Sequence, residues 1–263
     1  MTALILTLLL TGAVTGFIAG MVGIGGGIIV VPVLYMVFSS LGVPTGALMP
    51  LAVGTSLGTV LITSLASARG HNKHGQVDIP LFKETALFIV GGAVIGSLIV
   101  KAISAQQLTL FFAGMALVLA ALLVWDKLKL AAALPAPKWR KTAGVGVGIV
   151  ASLMGIGSGI LVIPLITACG YPIKRAIGTA AAFGVAVSIP GIVGFVIAGW
   201  GVDTNLPYSL GYVNIPTVLT IGLATLITAT WGAKASQGIS GVILRRVLAV
   251  FLVLTAIKLL TSL

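Results

Sequence analysis

Two glycine clusters are the part of this sequence with the clearest capacity for ligand chemistry. They occupy residues 23–27 (Gly-Ile-Gly-Gly-Gly) and 155–159 (Gly-Ile-Gly-Ser-Gly). Glycine permits non-helical backbone and leaves no side chain between main-chain amides and a ligand. A helix start also offers N–H groups with a positive dipole to an anion. The alternative is close helix packing through small residues, as at Gly12, Gly16 and Gly20. We predict ligand contacts at Gly25, Gly26, Gly27, Gly157, Ser158 and Gly159.

A proline follows each cluster. Pro32 and Pro164 each lie five residues beyond the last glycine. Proline suits the first turn of a helix and disfavours helical geometry in the residue before it. We therefore expect extended backbone over 28–31 and 160–163, with new helices starting near the prolines.

Three hydroxyl side chains, Thr55, Ser56 and Thr179, are further candidates for ligand contacts. A hydroxyl can donate a hydrogen bond to an oxyanion without burying a full charge. Back-bonding of these hydroxyls within their own helices is an equally weighted alternative. The basic pair Lys174-Arg175 either attracts anions at a cytoplasmic mouth or sets membrane orientation, and orientation is the favoured interpretation.

The elements that must position these residues are membrane helices. Hydrophobic residues make up 59% of the 263-residue chain, charged residues make up 7%, and the mean hydropathy is +1.23. A bilayer core of about 30 Å needs roughly 20 apolar residues per helix, so we predict an all-α polytopic membrane protein. The eight predicted segments cover about 2–39, 46–68, 80–100, 105–125, 142–169, 176–200, 212–233 and 241–262. The first ten residues carry no basic residue, so we expect the first segment to be retained.

Several functional classes are excluded by where the polar residues lie. The net charge of +11 comes from basic residues in the links between segments, which indicates membrane orientation and excludes nucleic-acid binding. Cys169 is the single cysteine, and His71 and His74 share one polar link, so we predict neither a metal site nor a cofactor. The four acidic residues lie in links or at segment ends. An intramembrane enzyme would need a nucleophile with a base, or a metal constellation, so we predict no enzyme.

The chain is an internal duplication. Residues 16–34 match residues 148–166 at nine of nineteen positions. Later matches occur in the same order in both halves, including Gly-Thr-Ser at 54–56 against Gly-Thr-Ala at 178–180. We predict a first transmembrane repeat over residues 1–126, a cytoplasmic linker over 127–141 and a second repeat over 142–263.

Charge in the links indicates that the two repeats are inverted. If segments 1 and 5 make no net crossing, 13 of the 15 Lys and Arg residues lie on the cytoplasmic side, leaving only Lys101 and Lys258 outside. The stretch from Thr2 to Ser39 would be roughly 55 Å long as one helix, too long for the bilayer core. We therefore expect segments 1 and 5 to be broken or re-entrant helices.

These motifs resemble a known family. The duplicated G-x-G-x-G-x-x-x-x-P signature, the Gly-Thr-Ser motif and the G-x-V-[DN]-I-P link are similar to those of the sulfite exporter TauE/SafE family. The resemblance implies a cell-membrane transporter of sulfite, sulfoacetate or other organosulfur anions. It places the family glycine motif at 23–27 and 155–159. The second half departs from the pattern at Ser158 and Ala180, so the two half-sites need not bind identically.

The leading hypothesis is a secondary transporter or facilitator of small anions, with its site near the bilayer midplane between the repeats. It would be a multi-pass protein of the cell (inner) membrane, with a small anion and the lipid bilayer as partners. A lipid-facing glycine surface also permits a homodimer. The alternatives are a carrier of another small solute or a divalent cation, and a membrane assembly subunit that transports nothing.

Overall fold

The computed structural model describes residues 2–22, 27–124, 133–235 and 241–262. This part of the chain forms ten helices and one minimal hairpin of two antiparallel strands. The helices are α1 (Thr2–Val22), α2 (Gly27–Ser40), α3 (Thr45–Lys73), α4 (Ile79–Ile99), α5 (Ala105–Val124), α6 (Pro137–Leu153), α7 (Gly159–Thr167), α8 (Ile173–Ala198), α9 (Ile215–Ala235) and α10 (Gly241–Thr261). The strands are β1 (Ser209–Leu210) and β2 (Val213–Asn214).

The predicted all-α membrane class is confirmed. Within the described residues, five helices are long and apolar enough to cross a bilayer, namely α3, α4, α5, α8 and the stretch Ile215–Gly232 of α9. Large apolar side chains such as Leu87, Ile197 and Trp231 are exposed on the outside of the bundle, where a lipid environment removes the cost of exposure. The molecule is therefore a multi-pass membrane protein.

One of the two expected helix breaks lies in the described part of the chain. Segment 1 is described as α1, which ends at Val22, and α2, which begins at Gly27, so its expected break falls outside the described residues. Segment 5 divides into α6 and α7, and α6 begins at Pro137, five residues before the predicted start at 142. The predicted contacts at Gly25 and Gly26 lie outside the described residues.

The end of α6 shows how glycine makes the second break. Gly155 has a φ of +64°, a left-handed conformation that glycine adopts without a Cβ penalty. The Gly155 N–H donates to the Ser152 carbonyl at 3.2 Å, and the Ile156 N–H donates to the Ala151 carbonyl at 3.0 Å. This is the Schellman pattern, which satisfies the last carbonyls of a helix and turns the chain away.

The expectation for the two prolines is wrong. Pro32 lies inside α2 and Pro164 lies inside α7, so residues 28–31 and 160–163 are helical rather than extended. Each helix starts at the last glycine, and each proline is its sixth residue. A proline inside a helix costs about 3 kcal/mol. Membrane helices tolerate such a proline because neighbouring helices and local adjustments of the backbone satisfy the carbonyl that it leaves unpaired.

Corresponding helices of the two halves pack in a reciprocal way. Helix α1 packs against α9, while its counterpart α6 packs against α4, the counterpart of α9. Helices α3 and α8 contact each other at the centre, and α2 and α7 lie against them. In α1, Gly12 and Gly16 allow the main chain of α9 to approach closely. The orientation of each half in the bilayer, and hence the inversion, stays a prediction.

Candidate functional site

The start of α2 and the second helix break meet in the interior. A Cβ on Gly27 would lie 2.7 Å from the Gly155 carbonyl oxygen and 2.8 Å from the Ile156 Cα atom. Only glycine permits this approach. The structure therefore brings together residues of the two glycine clusters, which are more than 120 positions apart in the sequence.

Ser56 joins the two clusters. Its Oγ donates a hydrogen bond to the Gly155 carbonyl oxygen at 2.7 Å, and the Gly27 carbonyl oxygen lies 3.5 Å away. The side chain is fully buried. Because a hydroxyl has one hydrogen to donate, the bond to Gly155 occupies it. Ser56 is thus a bridge between the halves, and direct contact of its side chain with a substrate stays a prediction.

Ser158 anchors the second break to α8. Its hydroxyl donates to the Ala180 carbonyl oxygen at 2.8 Å, and the residue is fully buried. Ser158 occupies the N-cap position of α7, but its side chain makes no capping hydrogen bond. The hydroxyl that would ordinarily satisfy an N–H at the helix start is therefore engaged elsewhere.

Consecutive main-chain amides at the start of α7 are left without partners. The N–H groups of residues 157–160 donate to no acceptor within the described residues. Gly157, Ser158 and Ile160 are buried, and Gly159 is half-buried. Buried N–H groups are nearly always paired with protein, water or ligand. The start of α7 is therefore a set of largely buried hydrogen-bond donors that needs an acceptor.

Ser64 of α3, which was not predicted from the sequence as a site residue, adds an unpaired hydroxyl to these donors. It is 7% exposed, and its Oγ makes no hydrogen bond within the described residues. A Cβ on Gly157 would lie 3.9 Å from this oxygen, and one on Gly184 would lie 2.4 Å from it. Its neighbours Thr59 and Thr63 bond back to their own helix, whereas the Ser64 hydroxyl does not.

Thr55 and Thr179 have a role that neither predicted alternative, ligand contact or back-bonding within their own helices, included. Thr55 Oγ1 accepts a hydrogen bond from the Asn214 N–H at 3.0 Å, and Thr179 Oγ1 accepts one from the Asp78 N–H at 2.9 Å. Each threonine thereby ties a central helix to the start of a helix in the other half. These bonds use the oxygen lone pairs, so both hydroxyl hydrogens stay available and a substrate contact stays a prediction.

Asp78 forms a charged latch with Tyr171 and Arg175. Asp78 Oδ1 accepts from the Leu81 N–H at 3.0 Å and caps α4, while Oδ2 accepts from the Tyr171 hydroxyl and pairs with Arg175 Nη2 at 3.1 Å. The Arg175 guanidinium also lies over the Tyr171 ring, 5.9 Å from its centroid. The basic pair at 174–175 thus includes one residue held by an ion pair to the other half.

The latch shifts the titration of both of its acidic groups. Burial alone would raise the pKa of Asp78, but hydrogen bonds from Leu81 and Tyr171 together with the Arg175 charge hold the pKa below its usual value. Burial, followed by the hydrogen bond to Asp78, raises the pKa of Tyr171 to about 12. Asp78 is therefore ionised and Tyr171 protonated across the neutral range.

The corresponding position of the other half is neutral. Asn214 matches Asp78 in the repeated G-x-V-[DN]-I-P link. Its Oδ1 accepts from the Thr217 N–H and hydroxyl, capping the start of α9, and its Nδ2 donates to Ser209 and to the Pro207 carbonyl. The two caps share a geometry and differ in charge.

Metal-binding side chains do not gather in the described part of the chain. It contains no group of three or more His, Cys, Asp or Glu residues that could hold an ion. His71 lies in the last turn of α3, which extends beyond the predicted end at 68, and its Nδ1 lies 2.6 Å from Gln76 Oε1. His74 is exposed at the C-terminal cap of the same helix.

A broken helix that meets the start of another helix inside a bundle of apolar spans is typical of membrane transporters. The sulfite exporter TauE/SafE family matches residues 8–259, and the chain belongs to that family. The resemblance of the sequence motifs to this family is thereby confirmed.

Relatives from a bacterium and an archaeon are named as probable membrane transporter proteins. A probable membrane transporter protein of Haemophilus influenzae is 34% identical over 98% of each chain. One from Methanocaldococcus jannaschii is 30% identical, covering 89% of this chain and 86% of its own. No solved structure matches the chain. The protein is a membrane transporter and not an enzyme.

Proposed function

We propose that this protein is a secondary transporter or facilitator of small anions, with sulfite or an organosulfonate such as sulfoacetate as substrate. The site lies between the repeats, at the start of α7 and the facing side of α3. The observation that carries the proposal is the run of unpaired amides at 157–160 beside the unpaired hydroxyl of Ser64.

The chemistry of this site suits an anion. Unpaired N–H groups at a helix start carry about half a positive charge from the helix dipole, and oxyanion oxygens accept hydrogen bonds from such donors. The four acidic residues of the sequence are at 78, 84, 126 and 203. None belongs to residues 157–160 or to α3, so these two stretches contribute no carboxylate that would oppose an anion.

A cation fits the same place poorly. A cation needs several oxygen ligands, and the Gly155 and Ala180 carbonyls each already accept one serine hydroxyl. Each carbonyl keeps a second lone pair, but the start of α7 contributes four unpaired N–H donors, which repel a cation. The balance of hydrogen bonding at the break therefore favours a substrate rich in acceptor oxygens.

Contacts between the halves supply the parts of an alternating-access mechanism. The Ser56 bridge and the Thr55 and Thr179 bonds connect the halves near their central helices, and the Asp78 latch closes the end where α3 meets α4. Rocking of one half against the other would exchange these contacts while the donors at α7 keep hold of the anion. The substrate gradient or the membrane potential would drive the movement.

A ligand screen on purified protein tests the proposal. Thermal stability in detergent and flux in proteoliposomes are measured with sulfite, sulfoacetate, sulfolactate, thiosulfate, nitrate and divalent cations. We expect stabilisation and saturable flux with at least one sulfur oxyanion. Stabilisation by divalent cations without any anion would favour the cation alternative. Absence of flux with every solute would favour a membrane assembly subunit.

A further inference from the structure

An apolar cavity lies apart from the helix breaks, between α4, α6, α7 and α8. It has a volume of about 170 Å³, and its walls include Leu81, Ile89, Val147, Val162 and Phe183. Thr85 also lines the cavity, but its hydroxyl donates to the Leu81 carbonyl of its own helix at 2.7 Å. The described lining is almost entirely apolar, with the buried Cys169 thiol as a weakly polar group, so hydrocarbon suits the interior and a small hydrated anion does not.

Arg140 stands at the edge of this cavity with an unsatisfied donor. Its Nη2 donates to both carboxylate oxygens of Glu84, at 3.0 and 2.8 Å. Its Nε is buried and has no hydrogen-bond partner in the residues that the structure describes. A buried donor on a charged group without an acceptor is unfavourable. The edge of the cavity thus needs an acceptor oxygen, while the interior needs an apolar chain.

The surroundings of Arg140 have the character of a membrane interface. Trp139 is 67% exposed, Lys138 is exposed, and Lys141 Nζ lies 5.5 Å from the centroid of the Phe88 ring. Tryptophan and basic residues concentrate where membrane proteins meet lipid headgroups. Arg140 is paired with Glu84 and also interacts with the Asp78 charge, whereas Lys138 and Lys141 add two further positive charges to this edge, and basic pockets between helices attract acidic headgroups.

We propose that this cavity is a binding site for one acidic phospholipid of the surrounding bilayer. An acyl chain fills the apolar interior, and a phosphate oxygen supplies the acceptor that the Arg140 guanidinium lacks. Lys138 and Lys141 add the charge that selects an acidic over a zwitterionic headgroup. The lipid fills a void between helices of both halves and fixes the start of α6, where the linker ends.

The first test blocks the cavity with a larger side chain. Ala143 lines the cavity, whereas the neighbouring exposed Thr142 does not. The full-length protein is purified in mild detergent, and its retained lipid is counted by native mass spectrometry. We expect wild type and Thr142→Phe to retain one phosphatidylglycerol molecule and Ala143→Phe to lose at least ~10-fold in occupancy. Equal retention in both variants would overturn the site. Ala143→Leu replaces Ala143→Phe if the latter does not elute as a single species.

The second test addresses the headgroup. Binding is titrated with phosphatidylglycerol and phosphatidylcholine of the same acyl composition. We expect wild type to prefer phosphatidylglycerol by about tenfold, and the double variant Lys138→Gln/Lys141→Gln to lose that preference while it still takes up lipid. Equal affinity of the wild type for the two lipids would overturn the proposal, as would retention of a free fatty acid in place of a phospholipid.

Discussion

Ser56 donates its hydroxyl hydrogen to the main-chain oxygen of Gly155 across the boundary between the two halves, at 2.7 Å. The bond holds the second helix break in place from α3 and leaves the amides at the start of α7 free. A side chain of the first half therefore shapes the donors of the second. Ser158 does the same from within its own half, through the Ala180 carbonyl.

Removing the Ser56 hydroxyl should destabilise the protein. In Ser56→Ala the buried Gly155 carbonyl loses its partner, which costs about 1–3 kcal/mol. We expect a melting temperature several degrees lower in detergent. Thr230→Ala is the control, because that exposed hydroxyl only bonds back to its own helix. Unfolding of Ser56→Ala at the wild-type temperature would show that the hydrogen bond from Ser56 to Gly155 contributes nothing to stability.

Gly157→Ala should impair substrate binding more than it impairs stability. A Cβ there would lie 3.3 Å from Val60 Cγ1, a contact that a small shift relieves, and it would stand beside the free amides. We expect at least ~10-fold weaker anion binding and a nearly unchanged melting temperature. Gly155→Ala is the contrast, since its φ of +64° and a Cβ position 2.8 Å from the Val53 carbonyl oxygen predict loss of folded protein. Unchanged anion affinity in Gly157→Ala would place the substrate elsewhere.

Ser64→Ala should weaken binding of the anion without disturbing α3. A hydrogen bond to a charged ligand is worth about 1.5–3 kcal/mol, so we expect the dissociation constant to rise at least ~10-fold. Ser188 occupies the corresponding place in the second half, where its hydroxyl bonds back to the Gly184 carbonyl. Ser188→Ala is therefore the matched control and should bind as wild type. Equal losses in the two variants would remove Ser64 from the site.

The Asp78 latch predicts an acid limb in the stability profile. The pKa of Asp78 is lower in the folded protein than its ordinary value, so the ionised form stabilises the fold. That stability is fully present above the unfolded pKa of about 3.9 and is lost as pH falls through the folded pKa. We expect Asp78→Asn to lower the melting temperature at pH 7 and to flatten the decline below pH 4. An unaltered acid limb in that variant would show that other groups cause it.

Tyr171 predicts the opposite, alkaline limb. Its pKa of about 12 lies above the ordinary value of 10, so folding favours the protonated phenol. The stability from this group is fully present below pH 10 and declines as pH rises toward 12. Tyr171→Phe should lose the hydrogen bond to Asp78 and flatten this limb, measured by thermal unfolding between pH 8 and 11. A limb of unchanged steepness would assign it to lysine titration.

The inverted arrangement is testable by labelling on intact cells. Single cysteines are placed at His74, beyond α3, and at Asp203, beyond α8, because both residues are exposed. The native Cys169 is buried and is replaced by Ser in the same background. Inverted repeats require an impermeant thiol reagent to label one position and spare the other. Labelling of both positions at equal rates would make the repeats parallel.

Local sequence was sufficient for much of the architecture. The second glycine cluster predicted the break between α6 and α7, because the positive φ of Gly155 favours glycine and a Cβ there would lie 2.8 Å from the Val53 carbonyl oxygen. The sequence predicted that α2 and α7 start near Pro32 and Pro164, and this prediction was wrong. Whether a membrane helix continues through a proline depends on how neighbouring helices and the local backbone satisfy the freed carbonyl, and a local pattern does not show those contacts.

The site residues depended on long-range contacts. Thr179 meets Asp78 across 101 positions, and Thr55 meets Asn214 across 159, so no spacing rule could connect them. The local sequence around Ser64 does not show that its hydroxyl lacks a hydrogen-bond partner. Its alignment with Ser188 in the repeat was a signal within the sequence that could have drawn attention to it.

Asp78 and Asn214 cap equivalent helices, one with a charge and one without. Parting α4 from α8 separates an ion pair, so the energy of that movement depends on ionic strength through screening of Asp78 and Arg175. Parting the helices around Asn214 breaks only neutral hydrogen bonds, which mobile ions hardly affect. A single oxygen-for-nitrogen difference between the repeats thus makes one end of the transporter sensitive to the salt around it and leaves the other indifferent.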